Sequence, residues 1–143
     1  MNQPIKPPLI LVSRILLSVI FIQAGWGKLH NFSATQGFME SMAIPGILLP
    51  AVILLELGGG LAILLGFSTR IVSVGLALFS IASGTVFHFD PEISGQMTHF
   101  YKNMAMAGGF FSLSLHAPTR WSFDHYLRQH SLIQSKNLHP LFS

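Results

Sequence analysis

Ile71-Val72-Ser73-Val74-Gly75-Leu76-Ala77-Leu78-Phe79-Ser80-Ile81-Ala82-Ser83-Gly84-Thr85-Val86-Phe87-His88 is the stretch that decides the fold. It is apolar throughout and holds no Asp, Glu, Lys or Arg. A helix rises ~1.5 Å per residue, so a run of this length approaches the ~30 Å hydrocarbon core of a bilayer. Three further segments read the same way: residues 9–27, entered through Pro7-Pro8 and interrupted by Arg14, residues 50–66, and residues 100–117, ending before Pro118. The second and fourth of these spans carry polar residues. The fold class expected is all-α: a four-transmembrane-helix bundle forming one domain over residues 1–143, with a re-entrant or interfacial segment after the first helix.

Composition agrees. Half of the 143 residues are apolar and only 9% are charged, against about a quarter charged in soluble domains. Such a chain cannot build a polar shell against water, and a bilayer removes that need. No cysteine is present, which excludes disulfides, thiolate metal sites and a thiol relay within the chain. The formal charge is +3, but the eight Lys and Arg are scattered. No basic cluster points to nucleic acid, and flanking charge that orients spans is the better reading. The first span is too long for a signal peptide, carries Arg14 and ends in no A-x-A site, so it is expected to be retained.

The link over residues 28–49 is long and semi-apolar, with Pro45-Gly46 as punctuation and Asn31 or Ser33 as a cap for a short helix. The link over residues 67–70 is tight, which makes spans two and three antiparallel neighbours. The tail over residues 121–143 is polar and basic, expected as a short surface helix to Ser131 and then disorder. Lys6, Arg14, Arg70, Arg120, Arg128 and Lys136 fall on one side of a four-span chain, and Lys28 and Lys102 on the other. Both termini are therefore expected in the cytoplasm and the protein in the plasma (inner) membrane, as a multi-pass chain. Small residues recur at helix-contact spacing: Gly58, Ala62 and Gly66, then Ser80 and Gly84, then Ala105 and Gly109. Gly58-Gly59 before Thr69-Arg70 is echoed fifty residues on by Gly108-Gly109 before Thr119-Arg120.

Three motifs resemble the DoxX family of small four-span membrane proteins. They are Ala24-Gly25-Trp26-Gly27-Lys28-Leu29; Leu55-Glu56-Leu57-Gly58-Gly59-Gly60, continuing to Leu64-Leu65-Gly66-Phe67-Ser68-Thr69-Arg70; and Tyr101-Lys102-Asn103-Met104-Ala105 with Gly108-Gly109. The resemblance covers roughly residues 9 to 120. It implies a four-helix membrane protein and a loose association with quinol- or thiosulfate-linked oxidoreductases, or with membrane complexes that handle oxidative stress.

Charge in a costly place marks the candidate site. A charged group at mid-bilayer costs ~2.5–3.5 kcal/mol on insertion scales, and Glu56 lies six residues into the second span, ~9 Å along its axis. Gln23, Trp26 and Lys28 close the first span at the same end, His88 closes the third, and Lys102 and Asn103 open the fourth. An outward-facing polar pocket roofed by residues 28–49 follows. Glu56 is its candidate catalytic acid, Lys28 or Lys102 the counter-ion, and Gln23, Asn103 and His88 neutral hydrogen-bonding groups, with Trp26 beside them. It could hold the head group of a quinone or another amphiphile. The bland alternative is a structural ion pair that fixes helix register. Arg14 is expected to snorkel to the interface. His30, His88 and His99 share one end but match no compact ligand motif, so no metal is expected.

Two functions compete. One is a redox-associated membrane subunit or small oxidoreductase that uses a quinone. The chain itself carries no cofactor motif, so electrons would pass to a soluble or membrane redox partner. The other is a non-enzymatic scaffold or chaperone within a membrane complex, with the Gly58, Ala62 and Gly66 ridge as its contact surface. A small-solute transporter ranks last. Membrane lipid is the expected surrounding, and homo-oligomerisation stays open.

Overall fold

The computed structural model describes residues 7–116 and 118–138. Among these the chain is all-helical, with no strand. Helix α1 (Pro7–His30) starts on two prolines, whose fixed φ suits a first turn. After Asn31 comes α2 (Phe32–Ser41). A turn with Ala43 at a positive φ of 59° leads to the second long helix, Gly46–Leu65. That helix is composite: a 3-10 turn (Gly46–Leu48), α3 (Leu49–Ile53), a π-helical turn (Leu54–Gly58) and α4 (Gly59–Leu65). Then follow α5 (Thr69–His88), α6 (Gln96–His116) and α7 (Phe123–Leu138).

Helix α1 touches α4 and α6, and α5 touches the same two, so the long helices close into a ring. Its core holds Phe21, Ile63, Leu76, Ala77, Phe110 and Leu113. Phe21 meets Phe110 edge-on at 5.3 Å between ring centres. The outer surface is apolar instead of polar: Leu54 is 74% exposed and Leu115 78%. Lipid accepts such a surface and water does not. Helix α1, the Gly46–Leu65 helix and α5 are each long and apolar enough to cross a membrane. Helix α6 has the length, at 21 residues, but carries His99, Lys102 and Asn103 near its start.

Glycines set the helix approaches. A Cβ on Gly25 would lie 2.7 Å from the Leu57 backbone nitrogen, and one on Gly60 would lie 3.0 Å from that of Ile22. These two positions bring α1 onto the second long helix. Gly84 plays the same part against Asn103 of α6. The expected ridge of Gly58, Ala62 and Gly66 does not act as one surface. Gly58 meets only Leu54 of its own helix, whereas Gly66 (φ 74°) ends α4 in the left-handed region.

Three expectations are corrected. Arg14 does not snorkel: it is 2% exposed. Its Nε donates to the Ile63 carbonyl at 2.8 Å, Nη2 to Leu64 at 2.6 Å and Nη1 to Trp121 at 2.6 Å. Those carbonyls converge where α4 ends, and a guanidinium has enough fixed donors to meet all three, the Ile63 oxygen also accepting from the Gly66 amide at 3.1 Å. Asn31 does not cap α2; its Nδ2 donates back to the Gly27 carbonyl at 3.0 Å. The tail helix α7 runs on to Leu138 rather than stopping at Ser131, and the disorder expected beyond it lies outside the described residues. Asp124 at the start of α7 accepts from the Ser68 and Thr69 amides at 2.7 and 2.9 Å, capping α5 from a distant part of the chain.

Candidate functional site

Helix α1 buries a regular stripe: Ile10, Arg14, Ser18, Phe21 and Gly25. One more step of three residues reaches Lys28, so the side chain after the glycine contact points at the second helix. There the backbone widens into the π turn that holds Glu56. Such turns are rare and recur at functional sites. The two side chains meet closely: Lys28 Nζ lies 2.7 Å from Glu56 Oε2 and 2.9 Å from Oε1. The carboxylate side chain is 6% exposed and the lysine 28%. Lys28, not Lys102, is therefore the counter-ion.

Two cavities flank Glu56. The first, of about 300 Å³, is almost wholly apolar, with Val52, Phe79 and Val86 among its walls and Lys28, Glu56 and His88 at its polar end. Its roof is the segment after α1, through Thr35, Phe38, Met39, Ile44 and Leu48. That roof is held down by Met39, Leu49 and Ile53, which are buried together with Val52 and Phe87 against them. Phe38 stacks on Phe87 at 5.8 Å. The second cavity, of about 210 Å³, carries His99, Lys102 and Asn103 from α6. Glu56, Phe79, Ser83 and His88 line both.

The polar residues selected from the sequence thus divide. Glu56, Lys28, His88, Lys102 and Asn103 come together around the two cavities. Gln23 is exposed, and Trp26 is 57% exposed with its ring against His30 at 4.5 Å. Neither lines either cavity. Gly27 faces open space, and the close approach is made by Gly25. His88 Nδ1 sits 2.8 Å from Gln96 Oε1, and its ring lies 5.2 Å from that of His99. Sequence reasoning missed Gln96, His99 as a wall of the second cavity, and the apolar wall of Phe79 and Val52. Among the described residues no group of three His, Asp or Glu is placed to hold a metal ion.

A helical membrane protein with a part-buried ion pair whose carboxylate lines two mainly apolar chambers is the class that these features define. The chain belongs to the DoxX family, whose model matches residues 9–89. It is 43% identical over 120 residues to "Inner membrane protein YqjF" of Escherichia coli (strain K12), covering 84% of this chain and 92% of that protein. It is 31% identical over 126 residues to "Inner membrane protein YphA" of the same strain, covering 83% and 90%. It is also 32% identical over 73 residues to "Putative oxidoreductase CatD" of Bacillus subtilis (strain 168), covering 51% and 54%. No solved structure matches the chain.

Proposed function

We propose that this protein is a redox-associated membrane subunit that binds a quinone, or another lipophilic molecule with a polar head, at Glu56. The observation that carries the reading is the Lys28–Glu56 pair set at the junction of the two chambers. The apolar chamber, at about 300 Å³, is at the small end of the ~300–1,000 Å³ usual for small-molecule sites. It suits a ring or the first part of a tail. A carboxylate has about four lone-pair sites. Lys28 engages both oxygens and still leaves lone pairs for a ligand hydroxyl. A carboxylate in reach of a quinone oxygen can give or take its proton. The oxidoreductase name of CatD and the family resemblance support the redox setting.

In this reading α6 is the fourth span, and the bundle crosses the inner membrane four times with both termini in the cytoplasm. The two chambers then open toward the outer face, and α2 lies as an interfacial lid over them. The positions of the basic residues support that orientation. Electrons leave through the quinone or through a soluble or membrane redox partner.

One observation favours the scaffold alternative: Glu56 already has a full partner in Lys28. The test measures binding of decylubiquinone to purified wild type and Glu56→Gln, alongside stability. Binding by wild type that weakens at least tenfold in a folded Glu56→Gln, about 1.4 kcal/mol, supports the ligand site. No binding by wild type, with a markedly less stable Glu56→Gln, gives the scaffold reading its place.

A further inference from the structure

The second chamber has an uneven charge balance. Lys28 and Glu56 cancel, because both carboxylate oxygens lie within hydrogen-bond distance of the lysine ammonium. Lys102 is the remaining formal charge on the walls of either chamber, and no other Asp or Glu lines them. It is exposed and forms no ion pair among the described residues. The acids of the neighbouring loop do not answer it. Asp90 and Glu92 line neither chamber, and the Asp90 carboxylate accepts from the Glu92 and Ile93 amides. His88 and His99 can only add positive charge, and Asn103 and Ser83 are neutral. A hydrocarbon-lined chamber thus shares Glu56, Phe79, Ser83 and His88 with a smaller one that carries the surplus cation.

Resting on the ligand reading above, we propose that the site selects amphipathic organic anions: an apolar body under α2, and a carboxylate or phenolate oxygen toward Lys102. Lys102 is then the residue that determines specificity, while Glu56 accepts from, and Lys28 donates to, the neutral polar groups of the head. The pairing is electrostatic and partly exposed, so added salt weakens it.

The test compares decanoate, decanol and decylamine, equal in chain length and different in charge, with decylubiquinone run beside them. Binding is measured by calorimetry in nanodiscs of zwitterionic phosphatidylcholine. The expected result is decanoate binding at least tenfold tighter than decanol, with decylamine weakest. Lys102→Gln removes the preference for decanoate and Lys102→Arg keeps it. Arg120→Gln, an equal loss of charge at the other end of the bundle, leaves it unchanged. Repeating with phosphatidylglycerol in the nanodisc separates two sources of the anion. Suppressed decanoate binding identifies an anionic membrane lipid as occupant, and unaltered binding identifies a free amphipathic acid. Glu56-dependent decylubiquinone binding with no preference for decanoate overturns the anion proposal and leaves the ligand reading standing. Loss of the preference in Arg120→Gln as well overturns it too, as a bulk charge effect. No binding of any probe overturns both.

Discussion

The two halves of the Lys28–Glu56 pair should not be equally costly to remove. Glu56 is 4% exposed overall, and its side chain is held between two helices. Lys28 keeps 28% of its side chain exposed at a helix end. Lys28→Met leaves a carboxylate of 6% exposure without its ammonium, and removing one partner of a buried pair costs ~3–5 kcal/mol. Glu56→Gln leaves an ammonium that can turn to water, so its cost should fall to about 1 kcal/mol, the range of exposed pairs. The double variant Lys28→Met/Glu56→Gln has no charge left to strand. It should recover at least half of what Lys28→Met alone loses. Unfolding by SDS titration in mixed micelles measures all four proteins under one condition. Equal losses in the two single variants would refute the argument from burial. A double variant as unstable as the sum of the singles would show that the two groups act independently.

Three other outcomes follow from the geometry. Arg14→Ala removes three hydrogen bonds to carbonyls; at ~0.6–1.7 kcal/mol each within a membrane the loss is roughly 2–5 kcal/mol. Arg14→Lys should regain only part of it in the same titration, since one ammonium cannot match the spread of a guanidinium. Gly25→Val puts a side chain 2.7 Å from the Leu57 backbone and should lower the folded yield, whereas Gly27→Ala meets open space and should be silent; size-exclusion profiles after solubilisation separate the two. The chain has no cysteine, so single-cysteine variants report topology without background. Asn31→Cys and Glu92→Cys should react with a membrane-impermeant maleimide in whole cells, and Arg120→Cys only after lysis. Labelling of Arg120→Cys in intact cells would reverse the orientation or break the four-span count.

Position along the bundle was legible in the sequence, and direction around each helix was not. Glu56, Lys28, His88, Lys102 and Asn103 could be placed at one end from span boundaries alone. A span that is apolar on nearly every face gives no angle, so Gln23 and Trp26 were grouped with them although they face outward. The polar and small residues of the first span held the missing angle. Arg14, Ser18, Gly25 and Lys28 fall on one stripe at steps of three, four and seven, together with Phe21. A stripe that collects the awkward residues of a span is the face turned away from lipid. The choice between Lys28 and Lys102 as counter-ion depended on that angle and on the π turn, a backbone feature that residue types alone do not announce. Arg14 was illegible for a different reason. Its acceptors are main-chain carbonyls, which every residue carries, and only the folded chain brings three of them to one guanidinium. Charges in a membrane can therefore be satisfied in two ways that look alike in sequence. Arg14 is consumed by backbone and ties the helices together at its end of the bundle. Lys102, at the other end, faces a chamber, and that difference in what meets the charge separates a structural cation from one left to receive a ligand.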